Sequence, residues 1–102
     1  MQDKSREELF HDYFYAAISR TLLAPNPHVI KATLTEHLEK LTIVPKNNSH
    51  LEDETITQFK NFVAERDWAN LRHRKQIINR YCSITHENPI NYYCALAPDP
   101  NF

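Results

Sequence analysis

The 102-residue chain contains no glycine. Loops that cradle phosphates and turns that approach a dinucleotide need glycine for positive φ and close backbone approach, so both motifs are excluded. Two-residue hairpins of the Asn-Gly or Gly-Gly type are excluded as well, which weighs against a meander or a barrel. Turns must come from Asn, Pro and Asp. Cysteine is scarce, with only Cys82 and Cys94, whereas a secreted domain of this size usually carries several bridges. No apolar run approaches the roughly 18 residues of a membrane span, and no basic-then-apolar leader opens the chain. The expectation is an intracellular, cytoplasmic protein with reduced thiols and no membrane partner.

Net charge is also small, at −1. Domains that wrap anionic polymers are usually strongly basic, so a protein devoted to that task is disfavoured. The charge is uneven along the chain. Residues 1–55 hold six Lys and Arg against nine Asp and Glu, while residues 56–102 hold six against four, so the halves carry opposite signs. With 41% hydrophobic and 25% charged residues the composition is that of an ordinary globular chain. One helical domain over residues 1–102 is expected, frayed at 1–4 and 97–102.

Helix starts are well marked. Ser5 with Glu8 forms a capping box, Asn26 precedes Pro27, Ser49 with Glu52 offers a second box, Asp67 is a candidate N-cap, and Asn88 precedes Pro89. Between these signals the apolar residues recur at helical spacing. Leu9, Phe10, Tyr13, Phe14, Ala16, Ala17, Ile18 and Thr21 share one wide arc of the first helix. Ile30, Leu34, Leu38 and Leu41 make a narrow stripe on the second, and Ile56, Phe59, Phe62 and Val63 mark the third. The fold class is therefore all-α, a bundle of four to five helices at about 6–23, 27–43, 52–66, 68–84 and a short 89–96.

The fourth helix carries the only concentrated chemistry. Five of the twelve Lys and Arg residues fall between Arg66 and Arg80. At about 100° per residue the run divides between two faces. Trp68, Leu71, Ile77, Ile78, Tyr81, Cys82 and Ile84 form an apolar arc that also holds Arg74 and, toward its Trp68 edge, Lys75. Arg72, His73, Gln76, Asn79 and Arg80 form a polar side. A guanidinium on an apolar arc must find a partner or reach water along its stem. Two solutions are open: an internal pair with Glu8, Asp12, Glu52, Asp53 or Glu54, or an intermolecular surface, where Arg is enriched beside aromatic side chains.

No catalytic, cofactor-binding or metal-ligating set emerges. His73, Cys82, His86 and Cys94 fall within one short stretch, but at no usual zinc spacing, and a Cys on a core stripe behaves as a small hydrophobe. "ITQFKNFVAERDW", residues 56–68, followed by Lys75, resembles the opening of the all-α nucleotide pyrophosphohydrolases of the MazG type. That family holds magnesium with clustered carboxylates on the helices that follow. Here the corresponding stretch, "RYCSITHE", has Glu87 as its only carboxylate, so the resemblance implies no magnesium site and no catalysis.

The reading that results is a non-enzymatic protein-binding module without cofactor: a small regulator, inhibitor or adaptor whose partner is another protein or a second copy in a dimer. Arg74, Lys75, Trp68, Tyr81 and Tyr15 are its candidate contact residues. The alternative is a helix-turn-helix DNA-binding regulator, in which Arg72, His73, Gln76, Asn79 and Arg80 read base edges.

Overall fold

Three of the four α-helices begin where a side-chain oxygen meets the first free backbone N–H groups. In α1, Arg6–Leu23, the Ser5 hydroxyl accepts from Glu8 N at 3.2 Å while the Glu8 carboxylate accepts from Ser5 N at 3.1 Å, a reciprocal capping box. Asn26 opens α2, Pro27–Leu41, by accepting from Val29 N. Asn70 opens α4, Leu71–Thr85, by accepting from Arg72 N and His73 N at 2.9 and 3.2 Å. In α3, Asp53–Ala64, the N-cap Glu52 makes no side-chain cap bond and pairs instead with Lys46. The Ser49–Glu52 box expected from the sequence does not form. Ser49 donates to Glu7 Oε1 at 2.7 Å and accepts from Leu51 N at 3.0 Å, so its hydroxyl is already committed.

The computed structural model describes residues 4–23 and 26–96. The fraying expected at residues 1–3 and 97–102 lies outside them, while Lys4 is tied through its ammonium to Asp12 at 2.6 Å. The bundle matches the expected all-α class, with boundaries shifted at two points. α2 stops at Leu41 rather than 43. The break near Asp67 is wider than a single residue: it runs from Glu65 to Asn70, and Asn70 rather than Asp67 is the cap. Asp67 closes a local turn on Ala69 N at 3.0 Å. Lys31 of α2 covers the end of α3 by donating to the carbonyls of Ala64 and Arg66, a favourable place for a cation. Pro89–Leu96 is a 3₁₀ helix.

Each α-helix packs against the next in sequence, and the 3₁₀ helix packs on both α4 and α1, closing the ring. The centre is aromatic. Phe14 and Tyr81 stack at 3.9 Å and 10°, with Tyr92 edge-on to both at 5.5 Å. Phe59 meets Phe10 edge-on at 5.4 Å. Thus α1, α3, α4 and the 3₁₀ helix each contribute a ring, and such pairs add about 0.5–1.5 kcal/mol each beyond area burial. α2 supplies the aliphatic side, with Ile30, Leu34, Leu38 and Leu41 all buried. Trp68, in the α3–α4 connection, is buried and donates from Nε1 to the Thr21 hydroxyl at 2.8 Å. No helix among the described residues is long and apolar enough to cross a membrane.

Lack of glycine leaves a mark at the end of α4. His86 caps the helix in the left-handed region, φ 62° and ψ 29°, a position where glycine is usual because a Cβ is penalised. The substitution His86→Gly is expected to stabilise the fold by about 0.5–1 kcal/mol, since relief of that penalty outweighs the added freedom of the unfolded chain. Urea melts of the two proteins check it, with His86→Val as the opposite case, expected to lose stability.

Candidate functional site

The polar side of α4 faces outward, with His73 half-buried, and three of its side-chain acceptors are already engaged within the chain. Gln76 Oε1 accepts from Arg66 Nε at 2.9 Å, Asn79 Oδ1 accepts from the Tyr93 hydroxyl at 2.9 Å, and His73 Nδ1 accepts from Asp67 N at 3.0 Å. Arg80 lies 4.3 Å from the centre of the Phe62 ring, which Arg66 also covers. Among the described residues only the Arg72 side chain makes no such contact on this face. Lys75, expected on the apolar arc, is exposed, with its ammonium 5.6 Å from the Tyr93 ring.

Arg74 takes neither of the two routes expected for it. It is 9% exposed, and its Nε donates to the Trp68 carbonyl at 2.9 Å and its Nη1 to the Ala95 carbonyl at 2.7 Å. The guanidinium forms no ion pair with Glu8, Asp12, Glu52, Asp53 or Glu54; backbone carbonyls satisfy it. Trp68 and Tyr81 are buried too. Of the five candidate contact residues, Lys75 and Tyr15 therefore remain on the surface. Cys82 is buried, and burial pushes its thiol up to about 11, so it stays protonated at neutral pH; Cys94 is exposed, and both are free.

A second candidate surface lies elsewhere, where the first turns of α1, the loop before α3 and the end of α4 meet. It is an open groove of about 700 Å³. Its floor is apolar: half-buried Ile84 of α4 is its accessible part, and Phe10 of α1, Leu51 of the loop and Tyr81 of α4 lie buried beneath it. Its rim is polar: Glu7 and His11 on one side, His50 and Thr55 on another, and Thr85, His86 and Glu87 on the third. Tyr81, one of the expected contact residues, has its hydroxyl 3.3 Å from His11 Nδ1. Tyr15, another, stacks on the His11 ring at 5.7 Å and extends the rim along α1. Despite three histidines and two carboxylates around the groove, no three His, Cys, Asp or Glu among the described residues are placed to hold a metal ion.

The carboxylates of the rim are fixed as anions. Burial alone raises Glu87, but the hydroxyls of Tyr92, Thr85 and Tyr81 outweigh it and hold the carboxyl below its ordinary value; the Tyr92 hydroxyl donates to Oε1 at 2.6 Å. Burial likewise opposes the charge on Glu7, and the Ser49 hydroxyl with the His50 N–H, at 2.7 and 2.9 Å, overcomes it. Both groups have lower pKa values folded than unfolded. They contribute stability that is fully present above the unfolded value near 4.5 and is lost as pH falls through the lower folded values. Urea midpoints measured between pH 7 and pH 3 are expected to drop in the acid range, and Glu87→Gln is expected to flatten that drop. A drop of equal steepness in the variant would contradict this assignment.

Sequence reasoning did not single out Glu7, Phe10, His11, Leu51, Thr55 or Ile84 as a site. The available signal was the row Glu7, His11, Tyr15 at four-residue spacing on α1, which alone reads as a solvated face. No protein-family model, no curated protein and no solved structure matches this chain.

Proposed function

We propose that this protein works by binding another protein, as a small regulator, inhibitor or adaptor, and that the groove between α1, α3 and α4 is the surface it uses. The observation that carries the reading is an open groove of about 700 Å³ in which Ile84, over the buried Phe10, Leu51 and Tyr81, forms an apolar floor beneath a polar rim. Interfaces are built in that way, with an apolar centre and a wet polar margin. The volume lies within the roughly 300–1,000 Å³ of ligand pockets, and its open form suits side chains projecting from a partner segment. A non-enzymatic role is supported by the state of the nearby groups. Glu7 and Glu87 are engaged by hydroxyl and amide donors, and the Cys82 thiol is buried and protonated. The commitments of Gln76, Asn79 and His73 within the chain favour this reading over base recognition by α4.

A random peptide display library panned against the protein tests it. Thr55 lines the groove, and Thr55→Trp fills the space without changing charge. Peptides that bind the parent protein and lose at least tenfold in affinity against Thr55→Trp, at an unchanged melting temperature, are the expected result. A library that yields only binders indifferent to Thr55→Trp, or none, overturns the reading.

A further inference from the structure

We infer that the segment this groove takes is basic: a Lys or Arg flanked by apolar residues, its aliphatic stem against Ile84 and its charged head between Glu7 and Glu87. The inference rests on the groove being a docking surface and adds the chemistry of the partner.

Four observations carry it. The two carboxylates stand on different walls, Glu7 in the first turn of α1 and Glu87 just beyond α4, and no Lys or Arg is among the described residues that line the groove. The end of α4 also points its partial negative charge there, with no basic residue in its last turn to offset it. The opposing positive ends of α1 and α3 are already countered by Glu7 and Glu8 and by Asp53 and Glu54 in their first turns. Beyond the rim, Glu8 and Asp12 prolong the acidic edge of α1 beside Glu7 and His11, and the cation at that edge, Lys4, is engaged by Asp12.

An apolar floor in a negative field is matched by a long side chain with an apolar stem and a cationic head. Each carboxylate is positioned by donors from the protein itself, Ser49 and His50 for Glu7 and Tyr92 for Glu87. Each oxygen nonetheless offers two lone pairs, so a held carboxylate still accepts from an incoming ammonium or guanidinium. An acidic or neutral segment meets the same floor without that complement.

The peptides recovered by their dependence on Thr55→Trp decide the matter. They are expected to carry Lys or Arg next to apolar residues. Binding of a synthetic copy, measured by isothermal titration, is expected to fall at least tenfold with Thr55→Arg, which sets a cation in the groove, and to hold or tighten with Thr55→Glu. Replacing its basic residue by Glu should abolish binding. Groove-dependent peptides that are neutral or acidic, or equal losses from Thr55→Arg and Thr55→Glu, would overturn the inference while leaving the groove as a docking surface. Absence of any peptide sensitive to Thr55→Trp removes both readings. A native mass that doubles with concentration and returns to the monomer in Thr55→Arg would give the groove to a second copy, and overturns the foreign segment argued here.

Discussion

Replacement of Arg6 by alanine is expected to remove about 3–4 kcal/mol of stability, a large share of the roughly 5–15 kcal/mol of a typical domain. Arg6 is 4% exposed, and its guanidinium gathers the whole connection between α2 and α3. Nε donates to the Val44 carbonyl at 2.8 Å, Nη1 to the Leu51 carbonyl at 3.1 Å and to Asp53 Oδ1 at 2.6 Å, and Nη2 to the Thr42 carbonyl at 3.2 Å. The Asp53 pair contributes little, since that carboxylate is 69% exposed and water replaces its partner. The carbonyls matter more. Bonds from a charged donor are worth about 1.5–3 kcal/mol each, and partly buried acceptors left without a donor bear a desolvation cost. Arg6→Lys restores one or two of these bonds at most, because an ammonium cannot fork across three carbonyls, and is expected to lose about 2 kcal/mol. Thermal melts should show Arg6→Ala lower by roughly 15–20 °C. A loss under about 1 kcal/mol would show that water serves these carbonyls as well as Arg6 does. The same clamp holds His50 and Leu51 in the groove wall, so Arg6→Lys is also expected to weaken peptides that depend on the groove.

What the sequence makes legible here is local. Ser5 with Glu8 and Asn26 with Pro27 announce helices because a cap is settled within one turn, and the stripes of α1 and α2 predict burial because helical spacing fixes which residues share a face. The misreadings arise where a side chain looks past its neighbours. Ser49 has the spacing of a capping box with Glu52, but Glu7, far away in sequence, takes its hydroxyl. Asp67 has the chemistry of an N-cap, yet Asn70 does the work once Trp68 is drawn under Thr21. Arg6 lies at a helix start where only capping is read, so nothing marked it as the residue that fastens the next loop. The groove is the extreme case: its walls come from α1, a loop, α3 and the end of α4, and no local pattern brings them together.

Arg74→Ala is expected to cost about 3 kcal/mol, and the reason differs from the one its setting suggests. An arginine on an apolar arc invites a search for a buried carboxylate or a partner surface, because a lone charge in a low dielectric is expensive. Here two backbone carbonyls accept it, one from the α3–α4 connection at Trp68 and one from the 3₁₀ helix at Ala95. Burial lowers its pKa, with the charge of Asp67 working the other way, but a guanidinium keeps its proton under any condition in which the fold exists. Arg74 thus joins both flanking segments to α4. Alanine removes the stem that fills the arc and strands both carbonyls; methionine keeps the stem and strands them, for a loss of about 2 kcal/mol. Lysine keeps the stem and satisfies one, so the expected order of stability is Arg, Lys, Met, Ala. Urea melts measure that order. Peptide affinity at the groove, measured on the folded fraction, separates this role from a contact residue's: an internal staple shifts the melt and spares the affinity. A variant that melts like the parent but loses its partner would return Arg74 to an interface.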